Sequence, residues 1–505
     1  MLDLQPATFE DFLNEAKRGN VVPVVRSVLA DLLTPVGALL RVAGSARHAF
    51  LLESVEGGER VARYSFLGTE PEMIVRGVGS QTIIERNGEL ETLDDVRAIE
   101  FVREYFRDRE LARRSGLAPL AGGAVGFLAY DAARWFEPVL EKQADGIEQE
   151  MAVWMFYRTV LAFDRVRQRV EITAIVLTEE AQGSHARLKE LYELAVEETA
   201  RVEKSLFENG ALPPEETHAK EQEAHDGAAF QSNWPRQGFE DAVRAVKERI
   251  AAGDCYQVVL SQRFTRKTAA NAISIYRALR ATNPSPYMYF FQLGDQAIIG
   301  ASPEMLVRCR GQRLDYRPIA GTRKRGATET EDWMLGEEMR TDEKEVAEHM
   351  MLVDLGRNDL GRVADYGSVE VGDLMTVERY SHVQHLVTSL RARLRDPFDR
   401  FDALASCFPA GTVTGAPKVR AMEIIRELEP DARGVYAGAI CYIDYADNLD
   451  SCIAIRTIVL ERDRYASVQA GAGIVADSVP EREYEETVNK ARALVRAIEM
   501  AERGL

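Results

Sequence analysis

"YMYFFQLGDQAIIGASPEMLVRC", residues 287–309, is the stretch whose reading decides the fold. Two apolar runs flank Gly294-Asp295, a pair suited to a tight turn, so the segment reads as successive strands. Before it, "YQVVLSQRF" (256–264) reads as another strand. The pattern recurs earlier in the chain. "QTIIERNGELETL" (81–93) sets Asn87-Gly88, a favoured two-residue turn, between alternating strands, and "VLAFDRVRQRVEITAIVL" (160–177) repeats strand, polar turn, strand. Helices alternate with these hairpins. Phe239, Val243, Val246 and Ile250 recur at helical spacing over 239–254, with Gly253 placed as a C-cap. Residues 182–206, 340–355 and 480–503 also read as helices. Hairpin and alternating order together predict an α+β fold with a large antiparallel component.

The totals narrow the function. Of 505 residues 46% are apolar, enough for a sizeable core, and 63 cations against 81 acids leave a net charge of −18. That balance disfavours nucleic acid and anionic membranes as partners, because both repel the chain at long range. The start, "MLDLQPATFEDFLNEAKRGN", has no basic segment followed by an apolar core of signal length. No apolar run approaches a membrane span. Five cysteines, an odd number without a C-x-x-C pair, read as buried thiols in a reducing cytoplasm.

The chain divides at "FENGALPPEETHAKEQEAHDGAAFQSNW" (207–234), depleted in aliphatics and rich in Pro, Glu and Gly. Three regions follow: 1–206, a surface linker at 207–237, and 238–505, where the motifs concentrate.

Two helices carry spaced carboxylates. In "TDEKEVAEHMMLVDLGRNDLG" (341–361), Val346, Met350 and Val353 form an expected buried stripe, while Glu345 and Glu348 share another face. "PEREYEETVNKARALVRAIEMAE" (480–502) repeats the spacing with Glu483 and Glu486. Either these are solvated acidic faces suited to the helix dipole, or they converge on a cation, for which oxygen ligands favour Mg²⁺. Glycine turns follow the same ambiguity. "CFPAGTVTGAPKVRAMEII" (407–425) opens a helix at Pro417-Lys418, where free N–H groups suit an anion. "VQAGAGIVADS" (468–478) sets Gly471 and Gly473 after a strand, and "RPIAGTRKRG" (317–326) runs into three cations. Neither G-x-G-x-x-G nor G-x-x-x-x-G-K-[ST] occurs. His382 and His385 sit in an apolar, strand-like setting, where a histidine is a core residue or a proton shuttle.

Taken in order, "GDCYQVVLSQRF", "NPSPYMYFF", "GASPEMLVR", "RPIAGTRKRG", "DEKEVAEHMMLVDLGRNDLGRV", "FPAGTVTGAPKVRAMEII", "YAGAICYI", "AIRT" and "QAGAGIVADSVPEREYEET" resemble the chorismate-utilising enzymes, and within them the large component of anthranilate synthase. The resemblance implies their fold, large antiparallel sheets in a sandwich-like core flanked by helices. It implies Mg²⁺ on Glu348 and Glu486, with Glu345 and Glu483 close by. Chorismate contacts would come from Gly321, Thr322, Thr412, Tyr436, Arg456, Gly471, Ala472, Gly473 and Lys490. Glu304 resembles the general acid that protonates the departing C4 hydroxyl, and His385 the histidine tied to loss of pyruvate. Ala320 stands where para-aminobenzoate relatives carry a lysine nucleophile, and Gln257 where isochorismate relatives carry a lysine that activates water. Both changes point to direct attack by ammonia and an ortho product. With no G-x-C-x-G-x-Q elbow in the sequence, ammonia would come from a separate glutamine amidotransferase subunit. "LLES" (51–54) and "NPSPYM" (283–288) resemble the tryptophan feedback elements, implying Ser54, Pro286, Tyr287 and Met288 in that pocket. A synthase of aminodeoxychorismate, one that stops at aminodeoxyisochorismate, and a non-catalytic tryptophan-binding subunit remain open alternatives.

Overall fold

The computed structural model describes residues 3–504 apart from 45, 56–62, 113, 142–148, 209–229 and 381–382. His382 and most of the linker therefore lie outside the described residues. Among those described, two antiparallel sheets form the core, one of 13 strands and one of 12. The reading of 287–309 holds: it forms the strands Tyr287–Leu293, Gln296–Ser302 and Met305–Arg310. The first two pair with Gly294 at φ +64° in the turn. The hairpin at Asn87-Gly88 also forms, both residues at positive φ, as a two-residue turn of this twist requires.

The continuous apolar character of Tyr287–Leu293 has a physical cause: the strand is covered on both faces. Tyr289, Phe291 and Leu293 point between the sheets, against Phe50 and Phe66 of their own sheet and Val125, Val153 and Met155 of the other. Met288 and Phe290 point the opposite way, towards Tyr276 and Leu279 of the helix Ala272–Thr282 and Leu494 and Ile498 of the helix Pro480–Glu502. Fully burying each such side chain contributes about 1.5–3 kcal/mol. The alternation of faces along a strand makes this one segment the tie between two cores.

Both sheets draw strands from either side of the linker. His48–Glu53 pairs with Tyr287–Leu293, and Gly123–Leu128 pairs with Ala439–Asp444. The sequence regions 1–206 and 238–505 thus share both sheets. The linker's far end is structured too, since Gln231–Ser232 pairs with Gln257–Lys267 and a helix starts at Arg236.

Three local expectations change. The helix expected at 340–355 is two: Glu329–Thr341 ends where Asp342 caps Glu343–Gly361, accepting from the N–H groups of Lys344 and Glu345 at 3.0 and 3.1 Å. Its buried side is His349, Leu352, Val353, Gly356 and Leu360, whereas Val346 and Met350 are only half-buried. Gly356 sets that face: a Cβ there would meet the Tyr316 ring at 2.6 Å, so the helix approaches the sheet on this side. Gly471 and Gly473 lie inside the strand Tyr465–Ile474, not after it, because pairing with Gln257–Lys267 continues to Ile474.

Gly126 tests the packing. It sits mid-strand, and a Cβ would lie 1.9 Å from the Val153 carbonyl oxygen, a backbone atom that cannot rotate away. Gly126→Ala is expected to lower the unfolding free energy by about 3 kcal/mol, measured by urea denaturation against wild type; an unchanged midpoint would contradict the pairing of Gly126 with Trp154.

Candidate active site

The chain crosses between the sheets at Pro303–Glu304, from Gln296–Ser302 to Met305–Arg310, and again at 454–456, from Asn448–Ile453 to Thr457–Leu460. The two crossings are joined by backbone hydrogen bonds. Ile453 N–H donates to the Glu304 carbonyl at 3.1 Å, and Ala301 N–H to the Arg456 carbonyl at 3.1 Å. Arg456 takes a positive φ of +53° there. Side chains at a crossing lie outside both ladders and face the space between the sheet ends.

Glu304 is 8% exposed. Burial pushes its carboxyl up to about 8, so it holds its proton at neutral pH. The Thr412 hydroxyl pulls slightly the other way. That hydroxyl is itself buried beside Glu304 and in hydrogen-bond geometry with no group among the described residues. It is held on the turn Gly411–Val413, where a Cβ on Gly411 would strike Leu355 at 1.9 Å.

His385 is placed by a bulge. In the pairing of Ile319–Lys324 with Val383–Arg393, Ala320 faces Leu386 and Arg323 faces Gln384, so Gly321 and Thr322 together oppose His385. Gly321 has φ +66°, which a side chain would strain, and its Cβ would crowd Met339 and Glu345. The bulge turns the Gly321 carbonyl onto His385 Nδ1 at 2.7 Å, with Thr322 Oγ1 at 3.2 Å. Nδ1 therefore carries the proton and Nε2 is left as an acceptor. Burial lowers the imidazole's pKa, opposed by the Gly321 carbonyl and reinforced by the charge of Arg456, so the ring is a neutral base.

The Arg456 guanidinium makes no hydrogen bond or ion pair with any described residue. Burial lowers its pKa, which Tyr436 opposes. It lines a cavity of about 590 Å³ with Lys490, Glu486 and Asn489. A half-buried cation without a partner among the described residues calls for an anion. Lys490 adds a second cation, donating to the Gly471 carbonyl at 3.0 Å and pairing with Glu486 at 2.7 Å. The strand Tyr465–Ile474 needs its glycines here. A Cβ on Gly471 would meet the Tyr436 hydroxyl at 2.7 Å, and one on Gly473 the Gln257 amide nitrogen at 2.6 Å. Between them Ala472 points to the buried face. Gln257 is 8% exposed and its amide has no hydrogen-bond partner among the described residues.

The two carboxylate pairs lie within electrostatic reach of one another. Burial raises the pKa of Glu348, and the charges of Glu345 and Glu486 raise it further. Burial likewise raises Glu483, opposed by the Ser478 hydroxyl and helped by Glu486. Like charges on two helices thus feel one another, the strain a divalent cation relieves. No three acidic, histidine or cysteine side chains among the described residues stand at ligand distance from a common point. Glu345 is meanwhile held by Arg323 at 2.7 Å.

That contact resolves the three cations of "RPIAGTRKRG". Arg323 is taken by Glu345, and Arg325 by Asp332 at 2.8 Å, so two of the three brace the turn. The helix start at Pro417-Lys418 also keeps its own anion, with Lys418 on both oxygens of Asp359 at 2.9 and 3.0 Å. Sequence reading missed Asn489 and Arg236 in the cavity wall. Asn489 had a signal, one residue before Lys490 on the same helix; Arg236, about 250 positions away, had none.

The strands His48–Glu53 and Tyr287–Leu293 bring the remaining residues together. Met288 faces Glu53, and Val55 N–H donates to the Ser285 carbonyl at 3.2 Å, so Ser54 lies beside Pro286 and Tyr287. Ser54 Oγ is buried without a hydrogen bond to any described residue. On its other edge Tyr287 faces Ser302, two residues from Glu304.

Two large antiparallel sheets, with Glu304 buried at one crossing and Arg456 at the other lining a cavity, are matched by the pattern of the chorismate binding enzymes over residues 47–496, and the chain belongs to that family. Within it, the chain is similar to anthranilate synthase component 1 of Acetivibrio thermocellus, 45% identical with 98% of each chain covered. It is 44% identical to the protein of that name from Aquifex aeolicus, again over 98% of each chain. The crystal structure of anthranilate synthase component I from Streptococcus pneumoniae superposes with a TM-score of 0.73 at 35% identity, covering 93% of this chain and 99% of that one. The menaquinone-specific isochorismate synthase of Escherichia coli, at 20% identity and a TM-score of 0.68 over 98% of this chain and 99% of that one, shares the fold.

The raised carboxyl of Glu304 has a stability consequence of definite sign. The folded state holds its proton between the ordinary 4.5 and about 8, so wild-type stability is lost as pH rises through that window. Glu304→Gln removes the effect. Its unfolding free energy relative to wild type is expected to rise by roughly 2–5 kcal/mol between pH 5 and pH 8, read by urea denaturation at both pH values; a constant difference would place the ordinary carboxyl pKa at this site.

Proposed function

We propose that the chain converts chorismate and ammonia into anthranilate and pyruvate. The observation that carries the reading is the half-buried Arg456 guanidinium, without a partner among the described residues and lining the cavity that Lys490 also lines. Arg456 and Lys490 hold the substrate's carboxylates, the planar fork of arginine fixing their orientation. Ammonia adds to C2 of the ring, both ring double bonds shift, the C4–O bond breaks and the hydroxyl departs as water with the proton from Glu304; the new ammonium then gives a proton to solvent. A carboxyl raised to about 8 supplies that proton at neutral pH. The neutral Nε2 of His385 then takes the C2 proton as pyruvate leaves, and the ring becomes aromatic.

Ala320, 8% exposed in its strand, offers no amine to compete with ammonia, and the Gln257 amide offers no base to activate water. Both support the ortho branch over the para and isochorismate branches. Glu348 and Glu486 are the residues that would hold Mg²⁺, with Glu483 close by; the metal would supply positive charge to the bound ring carboxylate. The printed name of the relatives, component 1, supports a second subunit, in this reading a glutamine amidotransferase that delivers ammonia. No helix is long and apolar enough to cross a membrane. Five buried, unpaired cysteines support a cytoplasmic setting.

Tryptophan is the feedback inhibitor in this reading, bound beside Ser54 and the Pro286–Met288 segment. One strand of separation from Glu304 supports coupling, which requires that tryptophan and chorismate favour different conformations.

The first test incubates the purified chain with chorismate, Mg²⁺ and ammonium, following anthranilate fluorescence with and without tryptophan. Fluorescence that needs Mg²⁺ and falls with tryptophan is expected. Chorismate consumed without anthranilate would move the chain to the para branch or to a stop at aminodeoxyisochorismate; tryptophan binding without turnover would make it a regulatory subunit. Glu304→Gln should lower kcat about 10²–10⁴-fold. Arg456→Met should raise KM for chorismate roughly 10- to 100-fold.

The pH profile carries a further expectation. With ammonium as donor the rate should climb as free ammonia increases, then fall above about pH 8 as Glu304 loses its proton. A profile that keeps rising would remove Glu304 as the acid.

A further inference from the structure

Behind the Thr412 turn lies a buried ion pair that the chemistry above does not use. Arg433, 3% exposed, sits in the connection between the helix Lys418–Leu428 and the strand Ala439–Asp444. Its guanidinium forks onto Glu429, Nε to Oε2 at 2.9 Å and Nη2 to Oε1 at 2.7 Å. Nη1 donates to the Val413 carbonyl and Nη2 to the Val259 carbonyl, each at 2.7 Å. The cation stands 4.6 Å from the Tyr130 ring centre and 5.7 Å from that of Tyr436. Glu429 Oε1 also accepts from Ser261 N–H and Oγ–H at 2.8 and 2.9 Å.

Each partner belongs to a different element around Glu304 and Arg456. Val413 follows Thr412, whose free hydroxyl stands by Glu304. Val259 lies two residues beyond Gln257 on the strand that faces Gly473. Tyr436 is the phenol that packs against Gly471. We propose that the Arg433–Glu429 pair is a positioning device: it fixes the spacing of the Thr412 turn, the Gln257 strand and Tyr436, and so holds Thr412 and Glu304 in register with the reacting centre.

The physical argument is one of direction. A buried ion pair seldom stabilises a fold more than apolar groups of the same volume, so stability alone gives no reason for this one. A planar fork with several fixed donors sets angles as well as distances, which a lysine point charge does not. A displacement of about 1 Å at a reacting centre costs on the order of 100-fold in rate.

The inference rests on the proposed amination of chorismate, and its test separates the two. The variants are Arg433→Lys and the charge-free double variant Arg433→Met with Glu429→Leu, which leaves no lone charge buried. Both are expected to fold, with kcat down about 100-fold or more and KM for chorismate within about threefold, because Arg456 and Lys490 hang from other elements. Amide hydrogen exchange over 411–415 and 257–259 should speed up at least about tenfold in the double variant, a readout that needs no turnover. Normal kcat, or unchanged exchange in these segments, would overturn the positioning role. A wild-type chain that makes no anthranilate, combined with the faster local exchange, would overturn the proposed function and leave the clamp standing.

Discussion

The two hydrogen bonds that lock the sheet crossings together are the constraint on which the rest of the site depends. Glu304 accepts from Ile453 through its carbonyl, and Arg456 accepts from Ala301. Neither crossing is part of a continuous ladder, so without these bonds each would carry unsatisfied backbone groups beside the space between the sheets. With them, an acid from one crossing and a guanidinium from the other are fixed relative to both sheets. The backbone has already set where the proton donor and the anion receptor stand before any side chain finds a rotamer.

The same enclosure disfavours charge on both groups, with different outcomes. It keeps Glu304 protonated, whereas Arg456, whose ordinary pKa lies far above neutral, stays a cation seeking an anion. A chain of net charge −18 thereby keeps a local cationic receptor, because the acids lining the cavity are spent on neighbours: Glu486 on Lys490, Glu485 on Arg236, Glu481 on Arg244. Global charge excludes large polyanions, and local pairing decides what small anion is accepted.

Glycine supplies the close approaches that shape the cavity. Gly321 turns its carbonyl onto His385, Gly471 admits the Tyr436 hydroxyl, and Gly473 admits the Gln257 amide. Each position places a backbone or a polar tip where a Cβ would stand. The surroundings of Glu304 and His385 therefore depend on close main-chain approaches, with the Arg433–Glu429 pair behind the Thr412 turn.

Local pattern in the sequence was enough to determine the strands around Gly294-Asp295, the turn at Asn87-Gly88 and the acidic spacing of Glu345/Glu348 and Glu483/Glu486, because each depends on neighbours a few positions apart. The ordered motifs carried the resemblance, and through it Glu304, His385 and Arg456. What local pattern missed was orientation. The buried face of Glu343–Gly361 turned because Gly356 meets Tyr316, and Gly471 lies within a strand because its pairing partner is more than 200 residues away. Only the tertiary structure decided that residues on both sides of the linker share two sheets, that Arg323 is spent on Glu345, and that Arg456 is left without a partner among the described residues. Those outcomes depend on which distant groups come into contact, and contact between distant groups is settled by packing, not by the order of residues along the chain.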